Sequence, residues 1–122
     1  MKKIIILIIV LALVVGGVLF FINENKESDL RNFSSSLQTN PNASSTVISM
    51  EEVAKHNQKS DCWMVLDKNV LDVTAFVDKH PGGEVILQGC GKDATPMYNA
   101  VNEHMKPFVK ALADKMVIGK LQ

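Results

Sequence analysis

The chain carries no excess of charge. Thirteen basic and 13 acidic side chains cancel across 122 residues, so the positive field by which a nucleic-acid binder gathers phosphate has no counterpart here. Its two cysteines and three histidines form no ligand repeat either. Cys62, Cys90 and His56 show neither C-x-x-C nor H-x-x-x-H spacing, which removes the usual zinc motifs. No C-x-x-C-H sequence is present, which excludes a covalent c-type haem. Cys90 has no base or oxyanion hole that the sequence identifies, so nucleophilic catalysis has no support. The length suits one domain. The expectation is a protein that is not itself an enzyme.

What the sequence does have, at its start, is a long apolar run. After Lys2 and Lys3, residues 4–22 contain no charged or strongly polar side chain. As a helix they would extend roughly 28 Å, about the hydrocarbon thickness of a bilayer. A cleaved secretory signal usually has a shorter apolar region and a small-residue cleavage site. No A-x-A-like pattern and no lipobox cysteine follows here. Residues 1–22 are therefore expected to be an uncleaved membrane anchor, with secretion after signal cleavage as the alternative. The positive-inside tendency keeps Lys2 and Lys3 in the cytoplasm and turns the rest of the chain outward.

Residues 23–47 shift to Asn, Ser, Glu and Lys, with only Leu30, Phe33 and Leu37 as large apolar side chains before the turn-prone TNPNASS. They read as a flexible polar linker with a reach of roughly 25 to 30 Å. The remaining stretch, 48–122, reads as one α+β domain. Ser49 to Glu52 has the S-x-x-E form of a capping box, which predicts a helix over 50–56. CWMVL and VLDVT, separated by Asp67-Lys68-Asn69, predict a β-hairpin. Short helical segments follow over 75–79 and 84–87, then a third from Pro96 to about His104, started by Thr95 or Asp93. PFVKALADKM predicts a fourth, with Phe108, Val109, Leu112 and Met116 on one face, and VIGKL closes as a strand. The fold class is thus a small mixed sheet carrying two pairs of short helices.

One helix of each pair ends in a histidine, His80 or His104. They could be surface residues, a metal site or two axial ligands of one cofactor. Apolar residues flank both, and two imidazoles on opposing apolar helix pairs suit a flat macrocycle whose iron takes one ligand from each side.

From Ser49 onward the sequence resembles the cytochrome b5-like haem-binding domain. The resemblance is carried by EEVAKHNQKSDCWMVLDKNVLDVTAFVDKHPGG, by GCGKDAT, by His104 and by VIGKL. It covers about 75 residues, and the step of 24 positions from His80 to His104 matches the family's ligand spacing. It implies a cytochrome b5-like fold with a haem crevice, preceded here by the transmembrane helix. It also implies non-covalent haem b, with His80 and His104 as axial ligands of six-coordinate iron and Phe76, Leu87, Val101 and Phe108 as pocket walls. Pro81, Gly82 and Gly83 would turn the chain beside the haem edge, and Trp63 would be core. Met105 stands where members often carry a serine able to bond a haem propionate. An anchor at the N-terminal end points to a prokaryotic relative.

The implied function is a membrane-tethered one-electron carrier that exchanges electrons with redox partner proteins, a reductase or a terminal acceptor. A haem- or small-ligand-binding sensing module is the alternative. Cys62 and Cys90 are expected as buried free thiols.

Overall fold

In the computed structural model, which describes residues 28–39, 41–43 and 45–122, a tight hairpin occupies the middle of the sheet. Strands β3 (Asp61–Leu66) and β4 (Asn69–Asp72) pair antiparallel, Leu66 opposite Asn69. Asp67 and Lys68 between them both have positive φ, 48° and 67°, as a two-residue turn matched to strand twist requires. Neither is glycine, and hydrogen bonds hold the turn from outside. The Asp67 amide donates to Thr95 Oγ1 at 3.0 Å, and the Lys68 carbonyl accepts from the Leu121 amide at 2.8 Å.

The other elements assemble around this pair. In chain order they are β1 (Val47–Ile48), α1 (Met50–Val53), β2 (Asn57–Gln58), β3 and β4. Two 3-10 helices follow, η1 (Thr74–Lys79) and η2 (Gly83–Gly89), then β5 (Lys92–Asp93), α2 (Thr95–Asn99), a third 3-10 turn η3 (Asn102–Met105), α3 (Pro107–Asp114) and β6 (Val117–Leu121). The sheet runs β1-β6-β4-β3-β2, with β5 added in parallel to β3. The expected α+β architecture is present.

Strand β3 is covered on both faces, so it shows a run of buried residues rather than an alternation. Val65 packs with Ile48, Val53 and Val70 in the main core, which Met50, Trp63, Ile118 and Leu121 flank. Met64 faces the opposite way, toward Gly89 and Ala94. Helix α1 starts as the capping box predicts, with the Glu52 amide donating to Ser49 Oγ at 3.3 Å, although it is shorter than expected. Trp63 is half-buried and stacks on His56 with ring centroids 3.5 Å apart. Asp61 Oδ1 lies 2.7 Å from His56 Nδ1.

Three expectations need correction. First, Cys62 and Cys90 are not free thiols: they form a disulfide, with Cα atoms 4.9 Å apart. The pairing of β5 with β3 brings residue 90 alongside the start of β3, where Gly91 N donates to Trp63 O at 2.7 Å and Ala94 N to Val65 O at 2.9 Å. Second, the third helix does not run to His104. It ends at Asn99, Val101 is extended (φ −108°, ψ 111°), and His104 lies in the separate turn η3. Third, residues 28–36 are helical, within the stretch read as flexible linker. Leu30, Phe33 and Leu37 fall at i, i+3 and i+7, the spacing of one helix face.

The chain separates into two compact units, Met1–Phe33 and Ser34–Gln122, and the sheet belongs wholly to the second. The expected anchor, residues 4–22, lies outside the described residues. Among the described residues, no helix is long and apolar enough to cross a membrane.

Candidate functional site

The site is built from the two segments that leave the sheet on the side of Met64. The first is η1, the turn His80-Pro81-Gly82-Gly83 and η2. Helix η1 ends because Pro81 cannot continue it, and His80 takes an extended backbone (φ −62°, ψ 124°) at its C-cap. Gly83 has φ +69°, a left-handed conformation that favours glycine. Its carbonyl thereby turns back toward the ligand candidate and accepts a hydrogen bond from His80 Nδ1 at 3.0 Å. At Gly82 the need is space. A Cβ there would meet His80 Cε1 at 2.8 Å and Val85 Cγ1 at 3.1 Å.

Outside this turn, Lys59 joins its two arms, 2.9 Å from Asp78 and 3.0 Å from Glu84. Its pKa is held above the ordinary lysine value, chiefly by the hydrogen bond to Asp78 and then by that to Glu84.

The second segment is α2, η3 and α3. Asp93 Oδ1 accepts from Thr95 N at 2.9 Å at the start of α2, so Asp93 supports the helix while Ala94 is the capping residue. His104 Nδ1 lies 2.8 Å from the Tyr98 carbonyl oxygen. A carbonyl only accepts, so in both histidines Nδ1 is the donor, and Nε2 is the nitrogen left to face a metal. A backbone carbonyl that fixes the tautomer in this way is the usual outer-shell partner of a metal-bound imidazole.

The two rings are neighbours. Their centroids are 6.2 Å apart, with planes inclined at 48°. That separation accommodates one metal ion between them, each coordinating nitrogen about 2 Å away. Phe76, itself buried, meets the His80 ring edge-on at 5.7 Å. Of the other expected wall residues, Leu87 is half-buried on η2, while Val101 and Phe108 are 42% and 37% exposed on either side of His104.

Exposure around the rings is informative in itself. Six large hydrophobic residues are exposed among the described residues, and all but Val47 fall between positions 85 and 108: Val85, Met97, Val101, Met105 and Phe108. Apolar surface gathered on the segments that bear two histidines is what an apolar ligand would cover. The donor set fits a haem on three counts: two imidazoles whose Nδ1 is bonded to a backbone carbonyl, an apolar surround, and no thiol for covalent attachment, since both cysteines are consumed in the disulfide. Among the described residues no group of three or more His, Cys, Asp or Glu side chains is arranged to hold a bare metal ion.

Two functional features escape the sequence reading. One is the disulfide. The other is Tyr98, whose ring stacks on His104 at 4.4 Å from six positions upstream, a spacing that no helical period announces.

Comparison with known proteins agrees with this geometry. Residues 49–122 match the family described as Cytochrome b5-like Heme/Steroid binding domain. Cytochrome b5 isoform E of Arabidopsis thaliana is 45% identical over 76 residues, 62% of this chain and 55% of that protein. Isoform D from the same plant is 43% identical over 76 residues, 62% of this chain and 53% of its own length. The chain thus spans about half the length of these curated relatives. Among solved structures, cytochrome b558 of Ectothiorhodospira vacuolata, described as a prokaryotic homologue of cytochrome b5, superposes with a TM-score of 0.58 at 32% identity, covering 62% of this chain and 98% of that one. Cytochrome b5 of Ostreococcus tauri virus 2 gives a TM-score of 0.53 at 38% identity, over 61% and 94% of the two chains. The chain belongs to the cytochrome b5-like haem-binding domain family, and its cofactor is haem b, held without a covalent link.

Proposed function

We propose that this chain is a membrane-tethered b-type cytochrome that carries single electrons between redox partner proteins, with His80 and His104 as the two axial ligands of its haem. The observation that carries the reading is the pair of opposed imidazoles, 6.2 Å apart, each with Nδ1 bonded to a backbone carbonyl. Bound haem supplies a one-electron iron couple. The protein's own part is to hold both imidazoles in the Nε2-ligating tautomer, to surround them with apolar side chains that keep water away, and to leave no coordination position for dioxygen or a substrate. Such a protein carries electrons, and catalysis belongs to its partners.

Tethering is supported by the apolar run over residues 4–22. The outward orientation is supported by the Cys62–Cys90 disulfide, because such bonds persist in compartments outside the cytoplasm.

Absorption spectra of the full chain reconstituted with haem in detergent test the ligand assignment. The native protein is expected to give a six-coordinate low-spin spectrum in both oxidation states, and His80→Ala and His104→Ala should each lose it. A low-spin spectrum that survives either substitution sinks the assignment. Rapid carbon monoxide binding by the reduced native protein would favour the sensing alternative.

A further inference from the structure

We propose that closure of the Cys62–Cys90 disulfide readies the His80 wall for haem, so that a thiol-oxidising reaction precedes haem capture in the maturation of this protein. The inference rests on the placement of haem against His80 given above and goes beyond the carrier role. Its basis is where the two cysteines sit. Cys62 is the second residue of β3, and Cys90 is the C-cap of η2. The bridge therefore ties the far end of the His80 wall to the central hairpin. Both residues are buried, Cys62 at 0% and Cys90 at 3% exposure.

Without haem, that wall has little packing of its own. Helix η2 runs over seven residues, and the fully buried one is Gly89, which has no side chain. Val85 is exposed, and Ile86 and Leu87 are only half-buried, so η2 sends no fully buried apolar anchor into the core. Its 3-10 hydrogen bonds are also of the poorer geometry. Near its start η2 is fastened by the ion pair of Glu84 with Lys59, and an exposed pair of this kind contributes little in water. Its end is fastened by the disulfide and by the bond from Gly91 N to Trp63 O, ahead of the β5–β3 pairing. Opening the disulfide frees that end, and the cost of ordering the wall then falls on haem binding.

In the oxidation, one cysteine thiolate attacks the S–S bond of a small-molecule or protein disulfide and displaces one thiol from it. The second cysteine thiolate attacks the mixed disulfide, forms the Cys62–Cys90 bond and displaces the other thiol. Two electrons pass to the oxidant, and the two cysteine protons end on its thiols. The bond formed lies in the interior, so a reducing thiolate reaches it only when the wall opens. Bound haem holds the wall closed. The two events are linked reciprocally: the factor by which the disulfide tightens haem binding is the factor by which haem protects the disulfide from reduction.

The test uses the full chain in detergent, as the disulfide form and as the dithiol form prepared with a phosphine and desalted without oxygen. Haemin titration is expected to give an affinity about ten-fold lower for the dithiol form, a coupling of ordinary size. In glutathione buffers, acid quenching followed by mass spectrometry should show the reciprocal effect: half reduction of the haem-loaded protein needs a ratio of thiol squared to disulfide about ten-fold higher than the haem-free protein does. Hydrogen exchange in the haem-free dithiol form should quicken over residues 75–90 while β4 and β6 keep their protection. Equal affinities with equal reduction midpoints overturn the proposal. So does an equal loss of protection in β4 and β6, which would make the bridge a brace for the whole domain. If the coupling is absent while His80→Ala loses the low-spin spectrum, the ligand assignment stands and this order of events falls. A low-spin spectrum retained in His80→Ala overturns the assignment and the proposal with it.

Discussion

Gly82 and Gly83 are adjacent, yet methyl groups added to them should fail for different reasons. At Gly82 the obstacle is the His80 ring, 2.8 Å from a built Cβ, with ordinary backbone angles. The imidazole can swing aside when no haem is bound, so Gly82→Ala should leave the haem-free domain close to native in thermal unfolding. Its haem affinity should fall about ten-fold or more, the scale of overpacking at a tight contact. At Gly83 nothing lies within 4 Å of the built Cβ, but φ is +69°, and Gly83→Ala should instead cost roughly 1 kcal/mol of folding stability. Haem titration and unfolding of both variants check the contrast, and equal haem affinities in the two would refute it. The need for glycine at these positions is legible in the sequence, because a histidine followed by Pro-Gly-Gly announces a sharp turn with a close approach. Tyr98 is not legible in that way. Its role depends on the chain turning back on itself between residues 98 and 104, and neither glycine nor proline marks that bend.

The elements were legible where local chemistry decides them. Ser49 caps α1, Asp67 and Lys68 close the hairpin, and Pro96 and Pro107 open helices. Where a tertiary contact decides, the sequence misleads: the helical pattern after Pro96 continues through His104, but a side-chain bond to the Tyr98 carbonyl ends it early. The disulfide is a similar case, since two cysteines 28 positions apart meet only once β5 has paired with β3. The closed loop contains η1, His80, the glycine turn and η2, which is the whole first wall of the crevice. Cross-linking a loop of this size stabilises by about 3.6 kcal/mol in the chain-entropy account. The haem-free Cys62→Ala/Cys90→Ala double variant should therefore unfold at clearly lower urea than the native protein, and native protein with reductant should approach it. Coincident unfolding curves for all three would show that the bridge adds nothing.

On the scale of the whole molecule, the tethering proposed above raises the question of which side of a membrane the domain would occupy. An outward-facing domain makes the disulfide and the two N-terminal lysines agree. A reporter fused after Gln122 that works only outside the cytoplasm is expected to be active, and activity confined to a cytoplasm-only reporter would reverse the assigned topology. The pairing of β1 with β6 bears on how such a protein is held. Val47 and Ile48 lie beside Lys120 and Leu121 in parallel, so the strand that continues from the N-terminal part of the chain is joined to the strand that ends it. Ahead of β1 the chain is bonded to the same domain twice more, Lys115 Nζ donating to the Ser34 carbonyl oxygen at 2.6 Å and Lys120 N to the Thr46 carbonyl oxygen at 2.7 Å. Strand β4 separates β6 from β3, the strand bonded to the crevice wall. The segment ahead of β1 thus joins the domain by way of β6, two strands away from β3 and the disulfide that holds the His80 wall.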